Sequence, residues 1–141
     1  MKMKKTILGF ALFSALASAA LGGETIEVYK SPDCGCCGKW GEIMKKNGFE
    51  IVEHKTNAII ETKNKYGVPL ELSSCHTGIV GGYAIEGHVP AEEIKALLAA
   101  KPADVVGISV PGMPLGSPGM EQGGIVRFEE ITRCPPEIQD T

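Results

Sequence analysis

Three thiols crowd into four consecutive positions in Cys34-Gly35-Cys36-Cys37-Gly38, between a strand pattern and a helix pattern. Disulfides confined to so short a stretch would close tiny loops and remove little entropy from the unfolded chain, so stapling explains the cluster poorly. Cys34 and Cys37 stand in a C-x-x-C relation at a helix N-terminus, where free N–H groups and the helix dipole favour thiolate. That is the spacing of a thioredoxin-like redox pair. Cys36 is the addition, an extra thiolate that competes with clean exchange between the other two. Crowded thiolates call for a shared cation, and their softness selects Cu(I), Zn or an iron–sulfur cluster. Structural Zn wants two separated ligand pairs, and an iron–sulfur cluster wants four Cys in a protected pocket. Cu(I) accepts two or three thiolates, and bridging sulfur suits a multinuclear copper centre. Three roles stay open on these residues: soft-metal binding, thiol–disulfide exchange through Cys34 and Cys37, and a disulfide-stapled binding module without metal.

The flanking patterns predict an α/β domain. Thr25 to Lys30 alternates as a strand, with Ile26 and Val28 against Thr25 and Glu27. A helix is expected over Lys39 to Asn47, with Trp40, Ile43 and Met44 on one face and Gly48 as its stop. Phe49 to His54 reads as a second strand, and Asn57 as the cap of a helix running to Tyr66. His76 to Val80 and Tyr83 to Val89 form a predicted hairpin about Gly81-Gly82. Pro90 opens a last helix whose Ile94, Leu97 and Leu98 face the core until Pro102. The order β-α-β-α-β-β-α, with the Cys motif between the first strand and first helix, resembles the thioredoxin fold over Thr25 to Ala100. A Pro/Gly/Met-rich loop follows at Val110 to Met120, too rich in Pro and Gly for a helix or central strand.

The N-terminus predicts export. Lys2, Lys4 and Lys5 precede the apolar run Ile7 to Leu16, and Ala17-Ser18-Ala19 supplies the small residues of a cleavage site near Ala20. The run falls short of the roughly 20 residues of a membrane span. The expected organisation is a signal peptide over 1–20, a thioredoxin-like copper-binding domain over 24–121 and a weakly specified tail over 122–141. Cleavage puts the product outside the cytoplasm with no membrane attachment. It also removes three of the 14 basic residues against 17 acidic ones, so the mature chain is acidic and carries no nucleic-acid footprint. A chain of 141 residues supports one domain. Its five Cys, an odd number for an oxidising compartment, leave at least one thiol over.

Other soft or imidazole ligands lie downstream. In a thioredoxin-like fold the loop entering the third strand packs on the Cys motif and carries a cis-proline before Thr. Here that segment reads Ser74-Cys75-His76-Thr77, so the proline is replaced and a thiol and an imidazole join the pocket. His88, before the last helix, is a candidate ligand or a packing residue, and His54 reads as a surface residue. Met113 and Met120 sit in the stiff loop, where a thioether serves as a soft ligand in oxidising surroundings. Met44, Trp40 and Tyr83 read as core.

Tyr29 to Trp40, Leu72-Ser73-Ser74-Cys75-His76-Thr77, Glu86-Gly87-His88-Val89-Pro90-Ala91 and the two loop segments about Met113 and Met120 together resemble the exported copper-resistance proteins of the CopG type. That is a thioredoxin-like family long filed as a domain of unknown function. The resemblance implies periplasmic copper handling, a copper cluster on the C-x-C-C motif and a role in interconverting Cu(I) and Cu(II). The ligands expected here are Cys34, Cys36, Cys37 and Cys75, supplemented by His76, Met113 and Met120, with His88 a candidate. A periplasmic copper efflux system is the expected partner. The sequence departs from the family after Glu121, and Cys134 matches none of its motifs.

Overall fold

The computed structural model describes residues 23–121 and 132–134. The expected signal segment and most of the tail lie outside those residues. The chain forms a mixed α/β domain in the order β1 (Thr25–Lys30), α1 (Gly35–Lys46), β2 (Glu50–Lys55), α2 (Ile59–Lys65), β3 (His76–Val80), β4 (Tyr83–Glu86), α3 (Ala91–Ala100), β5 (Gly107–Ser109) and β6 (Thr132–Cys134). A 3-10 turn, Leu70–Leu72, leads into β3. The sheet order is β2-β1-β3-β4-β5-β6. β1 pairs parallel with β2 and antiparallel with β3, and the β3–β4 hairpin is antiparallel. The expected order through α3 is the one observed, and no helix of the described residues is long and apolar enough to cross a membrane.

Strand alternation sorts the two faces. Ile26 and Val28 of β1 and Ile85 of β4 face α1 and α3, where Trp40, Met44, Ile94 and Leu97 close the core. Tyr29 and Thr77, a register pair, face the other way, under α2. Trp40 and Met44 are fully buried as expected; Tyr83 is half-buried, its hydroxyl donating to the Pro102 carbonyl at 2.8 Å. Gly81 and Gly82 turn the hairpin with φ of 56° and 84°, both left-handed, which is what a two-residue turn matched to strand twist requires.

The larger departures from the sequence reading are three element limits and two further strands. α1 starts at Gly35, four residues early, because the Ser31-Pro32-Asp33 turn closes on a Cys34 N–H to Ser31 carbonyl bond and delivers the chain directly into helix. Gly and Cys are poor helix formers, so propensity alone placed the start too late. Asn57 does not cap α2; the Thr56 hydroxyl accepts the Ala58 N–H at 3.0 Å instead. β4 stops at Glu86, since Gly87 takes a φ of 76°. β5, paired parallel to β4, and β6, contributed from the tail, carried no alternating pattern long enough to read.

Candidate metal centre

The early start of α1 changes the geometry of the motif. Cys34 is the N-cap and Cys36 and Cys37 lie in the first helical turn, among N–H groups with no intrahelical acceptor. Cys34 and Cys37 are joined as a disulfide, with Cα atoms 5.4 Å apart. Cys36 remains a thiol, 3.5 Å from the Cys34 sulfur. Its carbonyl and the Trp40 N–H lie against Gly119, where an added Cβ would sit 3.0 and 3.1 Å from them. The Pro/Gly loop is thus seated on the start of α1.

Cys75 arrives from the strand side. Its sulfur is 3.1 Å from His88 Nε2 and 3.4 Å from His76 Nδ1. His88 Nδ1 is 2.7 Å from the Pro118 carbonyl, which accepts only if that nitrogen holds the proton, so the Nε2 lone pair faces Cys75. A backbone carbonyl that fixes the tautomer in this way is the usual support of a metal-binding imidazole. His76 and His88 are both fully buried, 5.3 Å apart between ring centroids, and His76 also lies 4.5 Å from the Trp40 ring. His76 Nε2 is a buried polar atom with no hydrogen-bond partner. Such an orphan is expensive unless something supplies a partner there.

Electrostatics keep the pocket neutral when empty of charge partners. Burial, reinforced by the Cys36 thiol, pushes Cys75 up to about 11. Burial, reinforced by the neighbouring His88, Lys63 and Lys30, holds His76 well below its ordinary range, and burial lowers His88 as well. The site therefore presents neutral imidazoles and a protonated Cys75 thiol, and any cation bound by that sulfur displaces a proton.

Two overlapping donor sets result. The ligand atoms of Cys34, Cys36, Cys37 and Cys75 lie within 4.8 Å of one another, and so do those of Cys37, Cys75, His76 and His88. Cys37 and Cys75 belong to both. Met113 reaches the first set, its sulfur 3.9 Å from that of Cys36, while its side of the loop stays open to solvent. Met120 is half-buried and braces the loop through its backbone, with N–H to Ser117 and carbonyl to Gly116, both 2.8 Å. No hydrogen bond joins its thioether to a thiol among the described residues. His54 lies elsewhere, stacked on Tyr29 and paired with Glu27. Sequence reasoning passed over the buried cations Lys30, paired with Glu53 at 3.3 Å, and Lys63, paired with Glu86. A lysine in an alternating strand or short helix gives no sign of burial.

A solved structure named copper resistance protein CopG, form 2, is 44% identical to this chain, with a TM-score of 0.68 over 72% of this chain and 80% of that one. The chain belongs to the CopG family. Form 1 of the same protein matches at 45% identity and a TM-score of 0.66, over 70% of this chain and 78% of that one. A family model described as a protein of unknown function, DUF411, matches residues 72–120, the stretch that carries Cys75, His76, His88, Met113 and Met120. No curated protein matches.

Proposed function

We propose that this CopG-family chain is an exported copper-binding protein serving copper resistance, holding Cu(I) as cargo on a thiolate cluster. The observation that carries the reading is the convergence of four cysteine sulfurs within 4.8 Å, overlapped by two buried imidazoles. Thiolates and a thioether are soft donors suited to Cu(I), and the two sets sharing Cys37 and Cys75 suit more than one ion bridged by sulfur. Cys34, Cys36, Cys37 and Cys75 are the thiolate ligands in this reading, His76 and His88 complete the inner set, and Met113 closes the outer one. Met120 serves as a supplementary ligand or as the brace that sets Met113. The name of the solved relatives supports copper as the metal. Residues 1–20 act as the export signal, 24–121 as the thioredoxin-like copper-binding domain, and a periplasmic efflux system receives the cargo.

The disulfide favours a second reading, a thiol–disulfide oxidoreductase with Cys34 as attacking thiolate and Cys37 as resolving thiol. For copper loading, the bond must first accept two electrons and two protons from an external thiol reductant. The deciding experiment is elemental analysis with a thiol count on the mature protein, taken from copper-supplemented periplasm, beside Cys36→Ser. More than one copper per chain, reduced in that variant, is expected. Copper loading unaffected by the substitution, or none at all in the parent, would sink the copper reading and leave exchange chemistry.

A further inference from the structure

We propose that the buried pair Lys63–Glu86, on the face of the sheet opposite the cysteines, is the positioning device that sets Cys75 and Met113 for metal. The inference rests on the copper reading. Glu86 is fully buried and Lys63 nearly so. The carboxylate uses both oxygens. Oε1 accepts from the Lys63 ammonium and from the Ser74 backbone N–H at 2.6 Å, and Oε2 accepts from the Thr77 hydroxyl at 2.7 Å. Thr77 in turn accepts from Lys63 at 3.1 Å. Thr77 and Glu86 are register partners on β3 and β4, so the carboxylate is fixed to the sheet before it reaches Ser74.

Ser74 is the residue before Cys75 and lies outside the regular strand. Its partners hold two ligand segments at once. Its N–H is tied to Glu86, and its hydroxyl donates to the Gly112 carbonyl, one residue before Met113. A parallel bridge joins Ser74 to Gly112, and the Gly112 N–H reaches the Ser73 carbonyl at 3.4 Å. The Glu86 carbonyl itself accepts the Val110 N–H at 3.0 Å, at the root of the same loop. One carboxylate residue thus fastens the thiol from the strand side and the start of the thioether loop. The ammonium's part is to make a buried carboxylate tolerable, because a lone buried charge is strongly destabilising while a charge-neutral replacement of both partners need not be.

The test compares two charge-neutral double variants. Lys63→Met with Glu86→Gln keeps an acceptor for the Ser74 N–H, and Lys63→Met with Glu86→Leu removes it. Cu(I) retention is measured by competition with a Cu(I) chelator, and Ser74 amide exchange is measured on the metal-free protein. The Gln variant is expected to retain copper like the parent and to protect the amide. The Leu variant is expected to lose roughly tenfold in copper affinity, about 1.4 kcal/mol, with a fast-exchanging Ser74 amide and a melting temperature like that of the Gln variant. Equal copper retention in the two variants overturns the inference and leaves the copper reading standing. A parent that takes no Cu(I) overturns both. If the Leu variant fails to fold, the parent decides: Ser74 exchanging as fast as an open loop overturns the inference, and exchange as slow as β3 amides supports it.

Discussion

Met113 is half-exposed, 51% of its surface open, yet its sulfur stands 3.9 Å from Cys36. A thioether so placed can be removed without touching the core. Met113→Leu is expected to change stability by less than about 0.5 kcal/mol while weakening Cu(I) retention roughly tenfold in chelator competition. An unchanged affinity would remove Met113 from the ligand set. Cys75 makes the opposite case, a thiol set by its surroundings. Burial and the Cys36 neighbour push it up to about 11, so it is protonated at neutral pH in the metal-free protein. Its alkylation by iodoacetamide should therefore quicken about tenfold per pH unit from neutrality until near 11, following the thiolate fraction. A rate that levels off near pH 9 would show the pocket wetter than it is drawn. Both sulfur side chains were visible in the sequence as candidates. What could not be read there was that His88, thirteen positions on from Cys75, turns its Nε2 to that sulfur because Pro118 holds its other nitrogen.

At the scale of elements, the hairpin and α1 teach different lessons. Gly81-Gly82 could be read directly, because a two-residue turn with positive φ is a local requirement met by local chemistry. Gly82 has open space where a Cβ would go, so Gly82→Ala is expected to cost about 1–2 kcal/mol of backbone strain alone. Gly81→Ala should cost more, since its Cβ would meet a Leu98 methyl at 2.7 Å. Urea denaturation ranks the two. Copper retention should survive both, because the turn lies at the far end of β3 from His76. The start of α1 could not be read in the same way. Its first turn is built from Gly35, Cys36 and Cys37, weak helix formers held by the Cys34–Cys37 bond and by the loop seated on Gly119. The bond and the Ser31–Cys34 turn are local, but the loop that packs on this turn through Gly119 is distant in sequence, so no window around residue 35 contains the whole reason.

For the whole molecule, the copper reading makes the disulfide and the metal alternatives for the same sulfurs, and stability should report the exchange. Reducing the Cys34–Cys37 bond without copper closes no loop and should cost about 2 kcal/mol by loop entropy for so short a ring. Adding Cu(I) to the reduced protein should more than restore it, by about 4 kcal/mol at a thousandfold excess over the dissociation constant. A chelator should reverse the gain. Thermal melting in the three states checks this, and a reduced protein that gains nothing from Cu(I) would favour the exchange chemistry. The sequence by itself determined the element order through α3, the hydrophobic face of Ile26, Val28, Trp40 and Met44, and the cysteines and histidines worth suspecting. Each follows from periodicity, turn chemistry or residue type, which act over a few neighbours. Only the tertiary structure decided that two donor sets share Cys37 and Cys75, that β5 and β6 extend the sheet, and that Lys63 and Glu86 are buried beneath Ser74. Those depend on distances between segments tens of residues apart, and such distances exist only once the core has closed and fixed each strand beside its neighbour.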